Sequence, residues 1–389
     1  MSTALETLTA GTAKVLSEKE LKEKLELGRP LRVKLGVDPT APDIHLGHTV
    51  AIEKLRQFQE LGHTAVLIIG DFTATVGDPT GRSAARPPIT RDEVLENAKT
   101  YTDQAFKILD PEKTEVVYNG EWFRKMTYEE VLKLNSRVTM QQMLQREDFK
   151  KRIAEGTEVR LHEIQYPIMQ GWDSVMVRSD VELGGTDQLF NNLVGRDFQK
   201  EEGMPQQVVI LMPLLEGLDG VKKMSKSSHN YVGVSEPATE MVNKLMSISD
   251  DLMDKYYLML LGEKRDESAH PRDAKLELAR SIAARYHDED SAKAAVQLWL
   301  DKSKGDKAAG AKEVSLTDFD GELTVLTMAS QAFQIGFDVK KSNGELKKQS
   351  IAPGAIQLNG EKLTDFAAAV SPKEGDILRL SKKHSVKFV

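Results

Sequence analysis

The chain has 389 residues, 40% of them hydrophobic, enough for two or three domains with cores of their own, and it holds no cysteine, which excludes disulfides, thiolate metal sites and a cysteine nucleophile. The formal net charge of −7 argues against a general nucleic-acid binder, yet residues 321–389 carry ten Lys/Arg against seven Asp/Glu, or +3, leaving −10 on residues 1–320. No run reaches the roughly 20 apolar residues of a membrane span, and the first 27 residues are charged where a signal peptide would be apolar, so a cytoplasmic protein with no membrane partner is expected.

Ser17-Glu18-Lys19-Glu20 has capping-box spacing and opens a short helix that stops near Gly28 and Pro30. The extended run 31–37 predicts a strand. After the turn Asp38-Pro39-Thr40-Ala41-Pro42, the apolar residues Leu46, Val50, Leu55, Phe58 and Leu61 recur at helical spacing up to Gly62, and 65–69 reads as a second buried strand. Strand, turn, helix and strand make one right-handed βαβ unit, so an α/β fold with a Rossmann-type parallel sheet is expected, with ligands near residues 36–48 and 70–82 at the strand ends. Residues 120–165 are helical in pattern and read as an insertion before two further strands at 181–187 and 207–211. Beyond residue 230 the pattern turns helical, at 236–246, 251–261, from Pro271, and at 291–302. A Lys/Gly/Ala-rich linker at 302–312 precedes a small α+β module, in which Asn359-Gly360 marks a hairpin and 376–380 and 385–389 add strands. The expected domains are 1–229, 230–320 and 321–389.

Two segments carry chemistry. His45-Leu46-Gly47-His48 falls where a turn meets the first turn of a helix, an end whose free N–H groups and dipole favour phosphate, with both histidines on one face. Gly47 leaves room for a flat base or ribose. Taken alone, the tetrapeptide is as consistent with a chance meeting of residues. Lys222-Lys223-Met224-Ser225-Lys226-Ser227-Ser228 has lysines able to neutralise a triphosphate and a donor in Ser225, though a lone run of this kind is more often a solvated loop.

Together these segments resemble the HIGH and KMSKS signatures of the class I aminoacyl-tRNA synthetases. The surrounding Gly36-Val37-Asp38-Pro39-Thr40, Gly77-Asp78-Pro79-Thr80-Gly81, Tyr166-Pro167-Ile168-Met169-Gln170 and Gly184-Gly185-Thr186-Asp187-Gln188 are similar to the bacterial tyrosine enzymes in particular, and the resemblance runs through nearly the whole chain. It implies activation of tyrosine by ATP with Mg²⁺ accompanying the nucleotide, no protein-ligated metal, transfer to tRNA(Tyr), and a homodimer paired through the inserted region. By the same resemblance Thr40, His45, Lys223 and Lys226 hold the phosphates, His48 lies beside the nucleotide, and Arg82 and Arg86 clamp departing pyrophosphate. Gly36, Asp38, Gly47, Gly185, Asp187, Met224 and Ser225 complete the ATP site, with Asp187 on the ribose. Asp78, Tyr166 and Gln170 match the ammonium ligands of tyrosine, Gln188 also serves the amino acid, and Asp173 matches the acceptor of its phenol. Some tyrosine enzymes place a second phenol reader, a tyrosine, on the first strand where this chain has Lys34, and a polar residue where it has Leu35, so discrimination is expected to lean on Asp173. The segment 342–360 is similar to an S4-type RNA-binding module, in which Lys347, Lys348, Lys382 and Lys383 would face phosphates; residues 230–320 would bind the anticodon stem. A tryptophan synthetase, another nucleotidyltransferase with an HxGH motif, and a non-catalytic RNA-binding paralogue are the alternatives.

Overall fold

In the computed structural model, which describes residues 2–40, 42–79, 89–304, 309–381 and 384–389, strands and helices alternate along the first half of the chain. The strands are β1 (Lys14–Leu16), β2 (Arg32–Val37), β3 (Thr64–Ile69), β4 (Thr114–Tyr118), β5 (Val181–Gly185) and β6 (Val208–Met212), in the sheet order β1-β6-β5-β2-β3-β4. All but β1 run parallel to their neighbours; β1 pairs antiparallel with β6 at the edge. β6 is buried at every position and β3 at all but its first, which is why both read as continuous apolar runs rather than alternating ones.

The expected βαβ unit is present: β2 and β3 pair from Arg32–Thr64 to Val37–Ile69 across the helix Leu46–Glu60. Ser17 caps the helix Glu18–Leu25 by accepting from the Glu20 N–H, as its spacing predicts. The α/β class and parallel sheet follow the sequence expectation. The pattern assigns no element between 91 and 118, where the chain forms the helix Arg91–Ala105 and β4, nor at the antiparallel edge strand β1. Thr90 and Glu93 make a full capping box in front of that helix, a signal present in the sequence. The inserted region is helical, with Tyr128–Asn135, Met140–Met143 and Glu147–Ala154, and it leads into the long helix Leu161–Met176. Beyond β6 come the helices Ala238–Leu245, Asp250–Tyr256 and Pro271–Tyr286, the second continuing through a wider turn to Gly262. No helix among the described residues is long and apolar enough to cross a membrane.

The chain divides into two compact units, Met1–Glu289 and Asp290–Val389. In the second, β7 (Lys312–Val314), β8 (Gln357–Leu358), β9 (Glu361–Lys362), β10 (Ile377–Arg379) and β11 (Ser385–Phe388) form a sheet in the order β7-β11-β10-β8-β9. The helix Val325–Phe337 contributes Met328 and Phe333 to a core with Leu346, Leu378, Val386 and Phe388. The β8–β9 hairpin turns on Asn359 (φ 49°) and Gly360 (φ 93°), both left-handed, as a two-residue primed turn demands. Gly360→Val puts a β-branched residue at positive φ and is expected to destabilise the second unit by about 1–2 kcal/mol. Calorimetric unfolding checks this; an unchanged profile would contradict the turn assignment.

Candidate active site

A cleft of about 1270 Å³ opens at the C-terminal ends of β2, β3, β5 and β6, where the strand order departs in both directions from β2. An open parallel sheet leaves its crevice at such a switch point. Every described residue proposed for ATP or tyrosine lines this cleft.

At one end lies the start of the 46–60 helix. His45 is its N-cap in extended conformation, with its Nδ1 accepting from the Gly47 N–H at 3.2 Å, while the His48 Nδ1 accepts from the His45 N–H at 3.2 Å. With Nδ1 an acceptor on both rings, the proton of each neutral imidazole sits on Nε2, leaving two N–H donors in the cleft lining. The rings stack at a centroid distance of 3.8 Å. Burial, then the neighbouring His48 and Lys226, pushes His45 down to about 2. His48 is pushed down to about 4 by the protein packed around it and then by Lys226 and Lys223, although its ring is accessible from the open cleft. These histidines are therefore neutral donors at physiological pH. A Cβ at Gly47 would lie 3.0 Å from the His45 ring and 3.4 Å from the Met224 Cβ, so within the protein its small size serves the contact between the two motifs.

That contact is stitched by backbone. Leu46 N–H donates to Val232 O (3.0 Å) and Val234 N–H donates to Ile44 O (2.9 Å), tying the helix start to the segment just after the lysine-rich loop. Met224 is buried and its N–H donates to Leu215 O at 2.8 Å; Ser225 N–H donates to the Asn230 side chain at 2.9 Å. Asn230 in turn donates to Asp219 at 2.9 Å. Lys223 pairs with Asp187 at 3.1 Å and Lys226 with Asp43 at 3.4 Å. Thr40, whose N–H donates to Asp38 O at 2.7 Å, lines the same end.

At the other end, Tyr166, Gln170 and Asp173 share one face of the 161–176 helix. The Tyr166 hydroxyl donates to Asp38 Oδ2 (3.0 Å), and the other Asp38 oxygen accepts from the Thr73 hydroxyl (2.8 Å). Gly70 makes this possible, since a Cβ there would lie 2.1 Å from that second oxygen. Burial, then Asp38 and Asp78, raises the Tyr166 phenol well above its ordinary value, so it stays a donor. Asp78 accepts from Gln188 Nε2 at 3.1 Å and pairs with the buried Arg146 at 3.3 Å. Asn191 links Gln170 (2.8 Å) and Gln188 (3.0 Å). Asp173 accepts from Trp122 Nε1 (3.0 Å) and Asn119 Nδ2 (3.3 Å), and burial, against the opposing charge of Lys34, pushes it up to about 7.

The structure thus brings together the His45 and Lys223 motifs and the Asp78–Asp173 set. Arg82, Arg86, Lys382 and Lys383 lie outside the described residues. In the second unit, Lys347 sits 4.0 Å over the Phe366 ring and Lys348 is exposed. Asp43, Thr73, Asn119, Trp122 and Arg146 contact the expected site residues but belong to no motif, so sequence offers no signal for them beyond Asn119-Gly120 closing a strand. Among the described residues no group of three or more acidic or histidine side chains is placed to hold a metal.

Residues 26–301 match the family described as tRNA synthetases class I (W and Y). A tyrosine–tRNA ligase of Shewanella oneidensis is 48% identical over 388 residues, covering 97% of this chain and 96% of that protein. One from Oleidesulfovibrio alaskensis is 48% identical over 403 residues, covering 100% and 99%. Among solved structures, the tyrosyl-tRNA synthetase of Archaeoglobus fulgidus complexed with L-tyrosine shares the fold, with a TM-score of 0.62 over 76% of this chain and 99% of that one, at 23% identity.

The Asp173 carboxyl has a clear stability signature. Its pKa is raised from 3.8 to about 7, so its contribution to stability is full below the unfolded value and is lost as pH rises through about 7. Relative to wild type, Asp173→Asn is expected to gain stability steadily between these values, by a few kcal/mol at most. Denaturant unfolding of both proteins at a series of pH values checks this; a pH-independent difference would refute it.

Proposed function

The chain belongs to the class I tRNA synthetases for tryptophan and tyrosine, and from that premise we propose how its cleft divides the work of ligating tyrosine to tRNA. It is an aminoacyl-tRNA synthetase that acts on tyrosine, ATP and tRNA. The observation that carries the division of labour is the convergence, in one cleft, of neutral histidine donors and two lysines at one end with a buried acidic and amide set at the other.

The tyrosine carboxylate attacks the α-phosphorus of ATP; a carboxylate–phosphorus bond forms as the bond to pyrophosphate breaks. A carboxylate is already ionised at neutral pH, so no general base is needed, and positioning and charge stabilisation supply the rate. Thr40, His45, Lys223 and Lys226 take the phosphates, with Arg82 and Arg86 assisting and Mg²⁺ entering with the nucleotide. His48 and Gly47 flank the base, Gly36, Asp38, Gly185, Met224 and Ser225 line its site, and Asp187 takes the ribose once a phosphate draws Lys223 away. Asp78, Tyr166 and Gln170 receive the ammonium, Gln188 assists, and Asp173 accepts from the phenol. The adenylate then acylates the terminal ribose of tRNA. Residues 230–320 are proposed to meet the anticodon stem, and the basic residues of 321–389, among them Lys347, Lys348, Lys382 and Lys383, the tRNA backbone. A cytoplasmic homodimer completes the reading. The dimer is supported by the apolar residues exposed on the insertion, among them Tyr128 at 77% and Leu161 at 74%.

Aminoacylation with tyrosine and purified tyrosine tRNA tests the reading as a whole, and ATP–pyrophosphate exchange supported by tryptophan instead would overturn it. His45→Ala is expected to lower the rate of adenylate formation by roughly 10²-fold with tyrosine affinity little changed. Equal single-turnover rates would remove His45 from the phosphate site. Tyr128→Asp with Leu161→Asp is expected to convert a dimer to monomer in sedimentation velocity, and an unchanged sedimentation coefficient would place the dimer contact elsewhere.

A further inference from the structure

Lys34 lies within β2 and is fully buried, at 0% exposure. Its ammonium donates to Glu182 Oε1 (2.8 Å), the Ser174 hydroxyl (2.8 Å) and the Gln170 carbonyl (2.9 Å). An ammonium has three donors and no acceptor, so these bonds leave none for a ligand. Lys34 is thus not a substitute reader of the phenol. Glu182 is its register partner on β5, is itself buried, and also accepts from Ser174 (3.2 Å) and from the Gln207 amide. The lysine therefore grips residues 170 and 174 of the 161–176 helix, on either side of Asp173.

We propose that the Lys34–Glu182 pair governs the charge and position of Asp173, and through it the selectivity of the cleft for a phenol over a plain phenyl ring. Lys34 is a positioning residue here, and the inference rests on the reading of Asp173 as the phenol acceptor. Among the described residues, these groups act on Asp173. Lys34 comes from β2, Glu182 from β5 and Tyr166 from its own helix; Asn119 and Trp122, after β4, are neutral donors. Asp71, which accepts from the Gly120 N–H beyond them, is neutralised by Arg124 at 2.9 Å. Lys34 favours the Asp173 carboxylate, and Glu182 opposes it. An ionised Asp173 is the stronger acceptor for a phenol. A buried ion pair adds little to stability on its own, whereas a cation fixed by its bonds to residues 170 and 174, on either side of a buried carboxylate in the chain, acts on the charge of that carboxylate.

The two charges act with opposite sign, and this separates the proposal from a merely structural role. Tyrosine and phenylalanine binding is measured by titration calorimetry from about pH 5.5 to 9 on the full chain, for wild type, Glu182→Gln and the double variant Lys34→Met/Glu182→Gln. Wild-type tyrosine affinity is expected to weaken as pH falls through about 7. In Glu182→Gln, which unmasks Lys34, that midpoint moves down. In the double variant, which removes the larger favourable charge, it moves up by about one pH unit. At about pH 7.5 the double variant loses roughly tenfold in preference for tyrosine over phenylalanine. Midpoints that coincide, or that move in one direction in both variants while thermal unfolding shows them folded, would overturn the proposal. Should Glu182→Gln not fold, the double variant decides alone, an unmoved midpoint counting against. A wild-type protein that binds tyrosine at no pH would overturn the functional reading itself, and this inference with it.

Discussion

Two backbone hydrogen bonds, Leu46 to Val232 and Val234 to Ile44, hold the active cleft in its form. They join the start of the helix after β2 to a strand-like segment far along the chain, and nearly every other feature of the nucleotide end follows from them. The helix start must present its N-cap histidine to the cleft, and the downstream end of the lysine-rich loop is anchored beside it. The upstream end is anchored as well, because Met224 is buried and its N–H bonds to Leu215. Asn230, packed so closely that a Cβ at Gly217 would lie 2.2 Å from it, links the two anchors. Residues 225–229 thus form a short span pinned at both ends. Its one lysine, Lys226, rests on Asp43 between the two anchors.

How much of this was legible in the sequence depends on whether the cause was local. The βαβ unit, the N-cap at Ser17 and the Asn359-Gly360 hairpin rest on periodicity and turn chemistry within a few residues, and they were readable. The edge strand β1 was not, since three residues held in place only by β6 leave no period to detect. β4 is similar: its burial is partial, and its place at the sheet edge depends on β3. The Thr90 capping box, by contrast, was there to be read.

The same rule separates the site residues. The two signatures stand out because each is contiguous in sequence. Asn119, Trp122 and Arg146 reach the cleft only because the chain folds back after β4 and through the insertion, so nothing near them in sequence marks their role. Lys34 could be noticed as an oddity on a buried strand, but its meaning lay in Glu182 and Ser174, on two other elements. A fully buried ammonium is interpretable only once its three acceptors are known.

The two ends of the cleft solve opposite electrostatic problems. On the proposed assignment, the nucleotide end receives a highly charged triphosphate and later releases pyrophosphate, so a permanently dense cluster of cations would hold product as firmly as substrate. Here burial, His48 and Lys226 hold His45 well below its ordinary value, and the open-cleft His48 is lowered as well, so both rings offer N–H groups rather than charges. The lysines rest on Asp187 and Asp43, partners partly open to water and therefore easily exchanged for phosphate. The end proposed for tyrosine has the reverse need. Its ligand differs from phenylalanine by one hydroxyl, and such discrimination requires an acceptor that is dry, fixed and unsatisfied when the hydroxyl is missing. Asp173 is buried and oriented by Trp122 and Asn119, on a helix held by the buried Lys34–Glu182 pair through residues 170 and 174. On that assignment, exchangeable charge at one end and immobile charge at the other would let one cleft turn over a nucleotide while reading a single oxygen atom.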